Sequence, residues 1–295
     1  MNLRIRLAVL AGIFSMTAAA ANAQSFPTKP VRILTPSSVG SGPDVALRAI
    51  AEQLGKKWGQ PVIVDNRPGG NGFVATGLFK QAKPDGYELI APDSSHIATH
   101  PHTFRKLPYD PQKDFEPIRP ILNTAFFVVV GANSPYKTLA DIVQAAREQP
   151  GRVTYGSWFV GSPGHPGEVG WTLGSDASAG PLEKAGKLRY LAIAAPARSP
   201  IHPQVPSVDE SPDTKGYDVQ AWVGLFAPPG TPEAIKQRIS DDVAAVLKSP
   251  QIVERYRLLG YENPDLDPGQ FAARIQRDTD AWGAVIKQAG LRLDD

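Results

Sequence analysis

The chain has 295 residues, no cysteine, and 31 Lys+Arg against 29 Asp+Glu. Without cysteine there is no disulfide framework, no thiolate metal centre and no lipid anchor on an N-terminal cysteine. The near balance of mixed charges argues against a binder of nucleic acid or anionic membrane, so any attraction for an anion must be local.

In chain order, Arg4 and Arg6 make a basic start, Leu7 to Ala20 is mainly apolar, and Ala21-Asn22-Ala23 is a small-x-small exit before Gln24. Together these predict a secretory signal peptide over residues 1–23, with an apolar run too short to span a bilayer. Its removal takes away Arg4 and Arg6 and no acid, so 31 basic residues become 29 against 29 acidic ones. A cysteine-free exported chain of this length suits the periplasm.

Val31–Thr35 reads as a strand, Pro36–Gly42 as a loop of small residues, and Asp44 as the opening of a helix carrying Val45, Ala46, Leu47, Ile50, Ala51 and Leu54 at helical spacing. Strands are predicted at Pro61–Asp65 and Tyr87–Ala91, with a helix near Phe73–Lys83 between them. Alternation of strand and helix predicts α/β units with a parallel sheet. Further strands are predicted at Phe126–Val130, Val153–Gly156, Leu188–Ala194 and Val219–Ala227, the last able to run between domains. Helices are predicted after Thr138 (capped with Asp141), from Thr231 as N-cap through Leu247, and over Pro250–Leu259 and Pro268–Ala289.

Two loops share a design. Pro36–Gly42 and Gly156–His165 each follow a strand and offer hydroxyls and closely approaching backbone. A loop of this kind that opens a helix favours an anion through free amides and the helix dipole. Other patterns carry less. Gly70-Asn71-Gly72-Phe73-Val74-Ala75 has a loose dinucleotide spacing, but Asp65–Pro68 separates it from its strand. His96, His100 and His102 are interrupted by Pro101 and lack an H-E-x-x-H arrangement, so loop and packing roles are expected and no metal. Ser162 lacks the first glycine of a nucleophile elbow, Val160 standing there.

These segments resemble the tripartite tricarboxylate transporter substrate-binding, or Bug, family of receptors. Pro61–Gly72 is similar to its PVVVENRPGAGG segment, Pro84–Tyr87 to PDGYT, and Leu107–Phe115 to LPYDPxKDF. Gly186–Arg189 and Pro228–Pro232 resemble AGKLR and APAGTP. The resemblance spans nearly the whole mature chain. It implies an α/β two-domain periplasmic-binding-protein architecture of the type II, flytrap kind, with no catalysis and no cofactor. It further implies a small carboxylated metabolite as ligand, permease subunits of a tripartite transporter as partners, and a monomer that binds no nucleic acid. The expected domains are 24–125 with 228–295, and a shortened second domain over 126–227.

The family's two ligand loops fall here on Pro36–Asp44 and Gly156–His165. The expected ligand-binding residues are Ser37, Ser38, Gly40, Ser41, Asp44, Ser157, Gly161, Ser162 and His165. Three departures stand in the first loop, where the family reads P-F-x-x-G-G-x-T-D: Ser37 replaces the aromatic, Ser41 the second Gly and Pro43 the Thr. Phe159 replaces a Gly in the second. A strand and helix with a PYKG turn, expected between a helix near Glu168 and Gly186–Arg189, have no counterpart, because Trp171–Gly174 runs directly into Ser175–Ser178. The competing readings are an exported hydrolase using Ser162 and His165, and a degenerate receptor without ligand.

Overall fold

The computed structural model describes residues 26–156 and 170–290. In chain order the elements are β1 (Val31–Thr35), α1 (Gly42–Trp58), β2 (Val62–Asn66), α2 (Phe73–Phe79), β3 (Glu88–Ile90), α3 (His100–Thr103), β4 (Glu116–Gly131), α4 (Leu139–Glu148), β5 (Tyr155–Gly156) and β6 (Trp171–Ser175). There follow α5 (Asp176–Lys184), β7 (Leu188–Ile193), β8 (Gln220–Ala227), α6 (Glu233–Leu247), α7 (Pro250–Leu259) and α8 (Pro268–Ala289). The predicted signal peptide lies outside the described residues. The chain divides into two units. The first takes the described residues up to Leu122, Trp222–Arg255 and those from Asn263 on; the second takes Asn123–Ala221 and Tyr256–Glu262.

In the first unit β1 is flanked by two parallel partners, Val31 opposite Val62 of β2 and Ile33 opposite Leu89 of β3. β3 in turn pairs antiparallel with β8 at Ile90 and Phe226. One core packs Leu34, Phe79, Ile90, Trp222, Phe226 and Phe271 together. α1 buries Ala46, Leu47, Ile50, Ala51 and Leu54 of the predicted stripe and adds Trp58, while Val45 is half-buried, and Gly59 ends the helix in the left-handed region at φ 63°. The indole of Trp58 donates to Asp242 of α6 at 2.7 Å.

In the second unit β4 pairs antiparallel with β6 and with β7, and β5 lies parallel to β6. Phe126–Val130 is uniformly apolar because both faces are covered. Phe127 and Val129 join a cluster with Ala179 of α5, while Val128 and Val130 join one with Ile142 of α4. The Thr138–Asp141 capping box forms as predicted, the Asp141 amide donating to Thr138 Oγ1 at 3.2 Å and the Thr138 amide to Asp141 Oδ2 at 2.9 Å.

Four elements differ from the expectation. β4 begins at Glu116, ten residues before the apolar run, because its first half carries Pro117, Pro120, Asn123 and Thr124 and shows no strand pattern. Thr231 does not cap α6: its hydroxyl donates to the Pro228 carbonyl at 2.7 Å, and the cap position is Pro232. Trp171–Ser175 and Asp176–Lys184 form β6 and α5, which Gly174, Gly180 and Pro181 concealed from periodicity.

Candidate functional site

The strand order β2-β1-β3 makes the carboxyl end of β1 a switch point. The chain leaves β1 for α1 and β2 on one side, then returns to β3 on the other. Open α/β sheets bind ligands outside such points, where neighbouring loops diverge. The buried Thr35 ties the two strand ends together, its hydroxyl donating to the Ala91 carbonyl at 3.1 Å. The loop 36–41 starts here and opens α1.

Asp44 organises that loop. It is 1 % exposed, yet accepts from the Gly40 amide at 2.8 Å, from Asn66 Nδ2 at 2.8 Å and from Arg48 Nε at 3.1 Å. Burial pushes its pKa up, but these hydrogen bonds and the Arg48 charge outweigh burial and hold it below the ordinary carboxylate value, so it is ionised at neutral pH. Asn66 also donates to the Ser37 carbonyl at 3.0 Å. The buried negative charge is thus answered by Arg48, Asn66 and the start of the helix dipole.

Gly40 and Ser41 are therefore partly committed within the loop. The Gly40 amide belongs to Asp44, and the Ser41 amide donates to the Ser38 carbonyl at 3.1 Å. The Ser37 amide donates to Thr35 Oγ1 at 3.2 Å. No described residue accepts from the amides of Ser38, Val39 or Gly42. The Ser41 hydroxyl is buried without a partner among the described residues. Ser38 is exposed. The other expected residues, Ser157, Gly161, Ser162 and His165, lie outside the described residues; β5 ends just before them at Gly156, whose carbonyl accepts from Thr172 Oγ1 at 2.8 Å.

Asn66 and Arg48 were not singled out from sequence. Arg48 stands four residues after Asp44, on the same helix face, a spacing that could have found it. Asn66 lies in the segment that resembles the family.

The three histidines separate into different roles. His96, 7 % exposed, sets Nδ1 2.8 Å from Asp93 on a π-helical turn over Ser95–Thr99. The Tyr109 hydroxyl donates to the His96 carbonyl at 2.7 Å and so accepts from His100 Nδ1 at 3.1 Å. His102 packs against Gly283 of α8. Among the described residues no three His, Asp or Glu side chains gather as a metal site. Gly72 lies so close to His96 that a Cβ there would stand 2.0 Å from Nε2, and its φ of 83° is itself left-handed. The glycines of the loose dinucleotide pattern therefore serve a tight turn over a buried imidazole.

A family described as "Tripartite tricarboxylate transporter family receptor" matches residues 46–169 and 164–291. The chain belongs to this family. The receptor is 28 % identical over 334 residues to Protein BugT of Bordetella pertussis, covering 99 % of this chain and 100 % of BugT. It is 30 % identical over 318 residues to a UPF0065 protein of Cupriavidus necator, covering 95 % and 96 %. Its fold is similar to that of an R. palustris protein solved with adipate (TM-score 0.80, 28 % identity, 91 % of this chain and 100 % of the other). It is also similar to MatC of Rhodopseudomonas palustris with bound malate (TM-score 0.75, 26 % identity, 88 % and 100 %). The receptor has the α/β periplasmic-binding-protein fold of these relatives and is a solute-binding protein, not an enzyme.

Proposed function

We propose that this receptor is exported to the periplasm, binds a small carboxylate at the β1–α1 loop and hands it to the permease of a tripartite transporter. One observation carries the ligand class. Among the described residues the amides of Ser38, Val39 and Gly42 and the buried Ser41 hydroxyl have no partner, and they stand around the N-terminus of a 17-residue helix, at the switch point of the sheet. Such a cradle suits a carboxylate oxygen, and the internal pairing of Asp44 with Arg48 and Asn66 limits its repulsion of an anion. Relatives solved with adipate and malate support the same class. The basic, apolar, small-x-small N-terminus and a relative described as a periplasmic transporter support export.

A shortened second unit belongs to the same reading. Alignment with a UPF0065 protein of Pseudomonas sp. runs over 323 positions, although this chain has 295 residues, so at least 28 positions have no residue here. The family match breaks in two where its parts overlap, at 164–169. That break supports a missing piece before β6.

Calorimetry of the mature protein against malate, adipate, a tricarboxylate and an amino acid tests the proposal. Micromolar heat is expected with at least one di- or tricarboxylate. Ser41→Ala is expected to weaken it about tenfold, since a hydrogen bond to a charged group contributes roughly 1.5 kcal/mol or more. Silence across the panel from a folded sample sinks the proposal and favours a receptor that has lost its ligand.

A further inference from the structure

We propose that the first unit holds a second ligand site, for a small carboxylate with an apolar body, between the Gly70–Gly72 turn and residues 104–108. A cavity of about 440 Å³ opens there, lined by Asn71, Phe73, Phe104, Lys106, Leu107 and Pro108 beside Gly70. That volume lies in the range of small-molecule sites. It shares no residue with the β1–α1 loop and does not depend on the reading of that loop.

The lining divides into two chemistries. Phe73 and Phe104 meet edge to face at 5.3 Å, and with Leu107 and Pro108 they form an apolar wall. Phe104 is 8 % exposed, and the half-buried His100 ring packs edge-on against it at 4.9 Å, beside the buried His96, so this side is anchored in the core. Among the described residues the polar side carries a positive charge and no negative one. Lys106 is exposed and makes no ion pair with a described residue, and no described Asp or Glu lines the cavity.

The turn adds donors. The Gly72 amide is spent on the Gly69 carbonyl and the Phe73 amide on that of Gly70. The amides of Gly70 and Asn71 donate to no described residue. Asn71 takes φ 52° between glycines at 52° and 83°, which keeps the turn tight. A ligand that satisfies all of this carries one anionic group for Lys106 and the free amides, and an apolar ring or short chain for the phenylalanines. A polar dicarboxylate would bury its second charge against the apolar wall.

Benzoate is the probe, added to the full mature chain and followed by amide NMR shifts, with benzyl alcohol as the neutral control. Saturable shifts are expected at Gly70, Asn71, Lys106 and Leu107. Lys106→Glu is expected to weaken them roughly tenfold by turning an attraction into a repulsion, while Ser41→Ala leaves them unchanged. No saturation at these amides overturns the proposal. So does equal binding of benzyl alcohol, unaltered affinity in Lys106→Glu, or shifts confined to residues 37–44. Loss of carboxylate binding at the β1–α1 loop with this titration intact would sink only the earlier reading.

Discussion

Asp93 and His96 show how one residue pair ties a turn to the pH of its surroundings. Loss of water works against the charge on both, although the Asp93 side chain stays 41 % exposed. Their mutual attraction outweighs it, holding the Asp93 pKa down to about 2 and raising that of His96 above its ordinary value. His100 goes the other way: burial, then the neighbouring His96 charge, push it down to about 4. The Ser95 amide and His100 also lower Asp93, and the nearby Tyr109 hydroxyl is itself pushed up by burial and then by Asp93. The signs follow from proton linkage. A raised His96 contributes stability that is complete below about pH 6.5 and is lost as pH rises through its folded pKa. A depressed His100 withdraws stability as pH falls from about 6.5 toward about 4, and Asp93 adds a loss as pH falls on toward about 2. Stability to urea is therefore expected to peak near about pH 6.5. His96→Gln should flatten the alkaline limb and His100→Asn the upper acid limb. An alkaline limb unchanged in His96→Gln would show that the pair is not coupled to folding.

At the scale of elements, two threonines before helices have opposite fates. Thr138 makes both bonds of its capping box with Asp141. Thr231 turns its hydroxyl back to Pro228, because Pro232 takes the cap position. Thr138→Ala should cost about 1 kcal/mol, the usual worth of an N-cap hydroxyl, read from the urea midpoint. A change below about 0.3 kcal/mol would show that α4 is held by Ile142 and its neighbours and not by its cap. The same contrast explains which helices were legible. α1, α7 and α8 carry apolar stripes bounded by Pro and Gly, and their spans follow from that pattern. The helix α5 contains Pro181 and two small residues at its buried positions, Ala179 and Gly180, so its stripe is weak and it forms through packing beside β6 and β7.

For the whole molecule, the division into units is not a division into separate chain segments. The second unit takes Asn123–Ala221 and then recovers Tyr256–Glu262 from the middle of a region otherwise assigned to the first. Within it the Asn123 amide donates to the Glu262 carbonyl at 2.9 Å and the Glu262 amide donates back to Asn123 at 2.9 Å. Tyr256 and Tyr261 are both buried. Because β4, β8 and α7 each run through a boundary, neither unit can unfold without pulling on an element of the other. The protein is expected to melt in one sharp transition by circular dichroism. Two well-separated transitions would show independent units, and a broad slope with none would show a second unit that does not pack.

The α/β alternation, the core of each long helix and the family could be read directly from the sequence, because period and motif are properties of neighbouring residues. The sequence also placed the β1–α1 loop, since small residues between a strand and an Asp-led helix are a local signal. How that loop is used follows from contacts between residues far apart in the chain. Asn66 reaches Asp44 across 22 positions of sequence, and the Gly40 amide is spent there. The Ser41 hydroxyl is left buried without a described partner. Such outcomes depend on which strand ends the sheet brings side by side, and no short stretch of sequence contains that information.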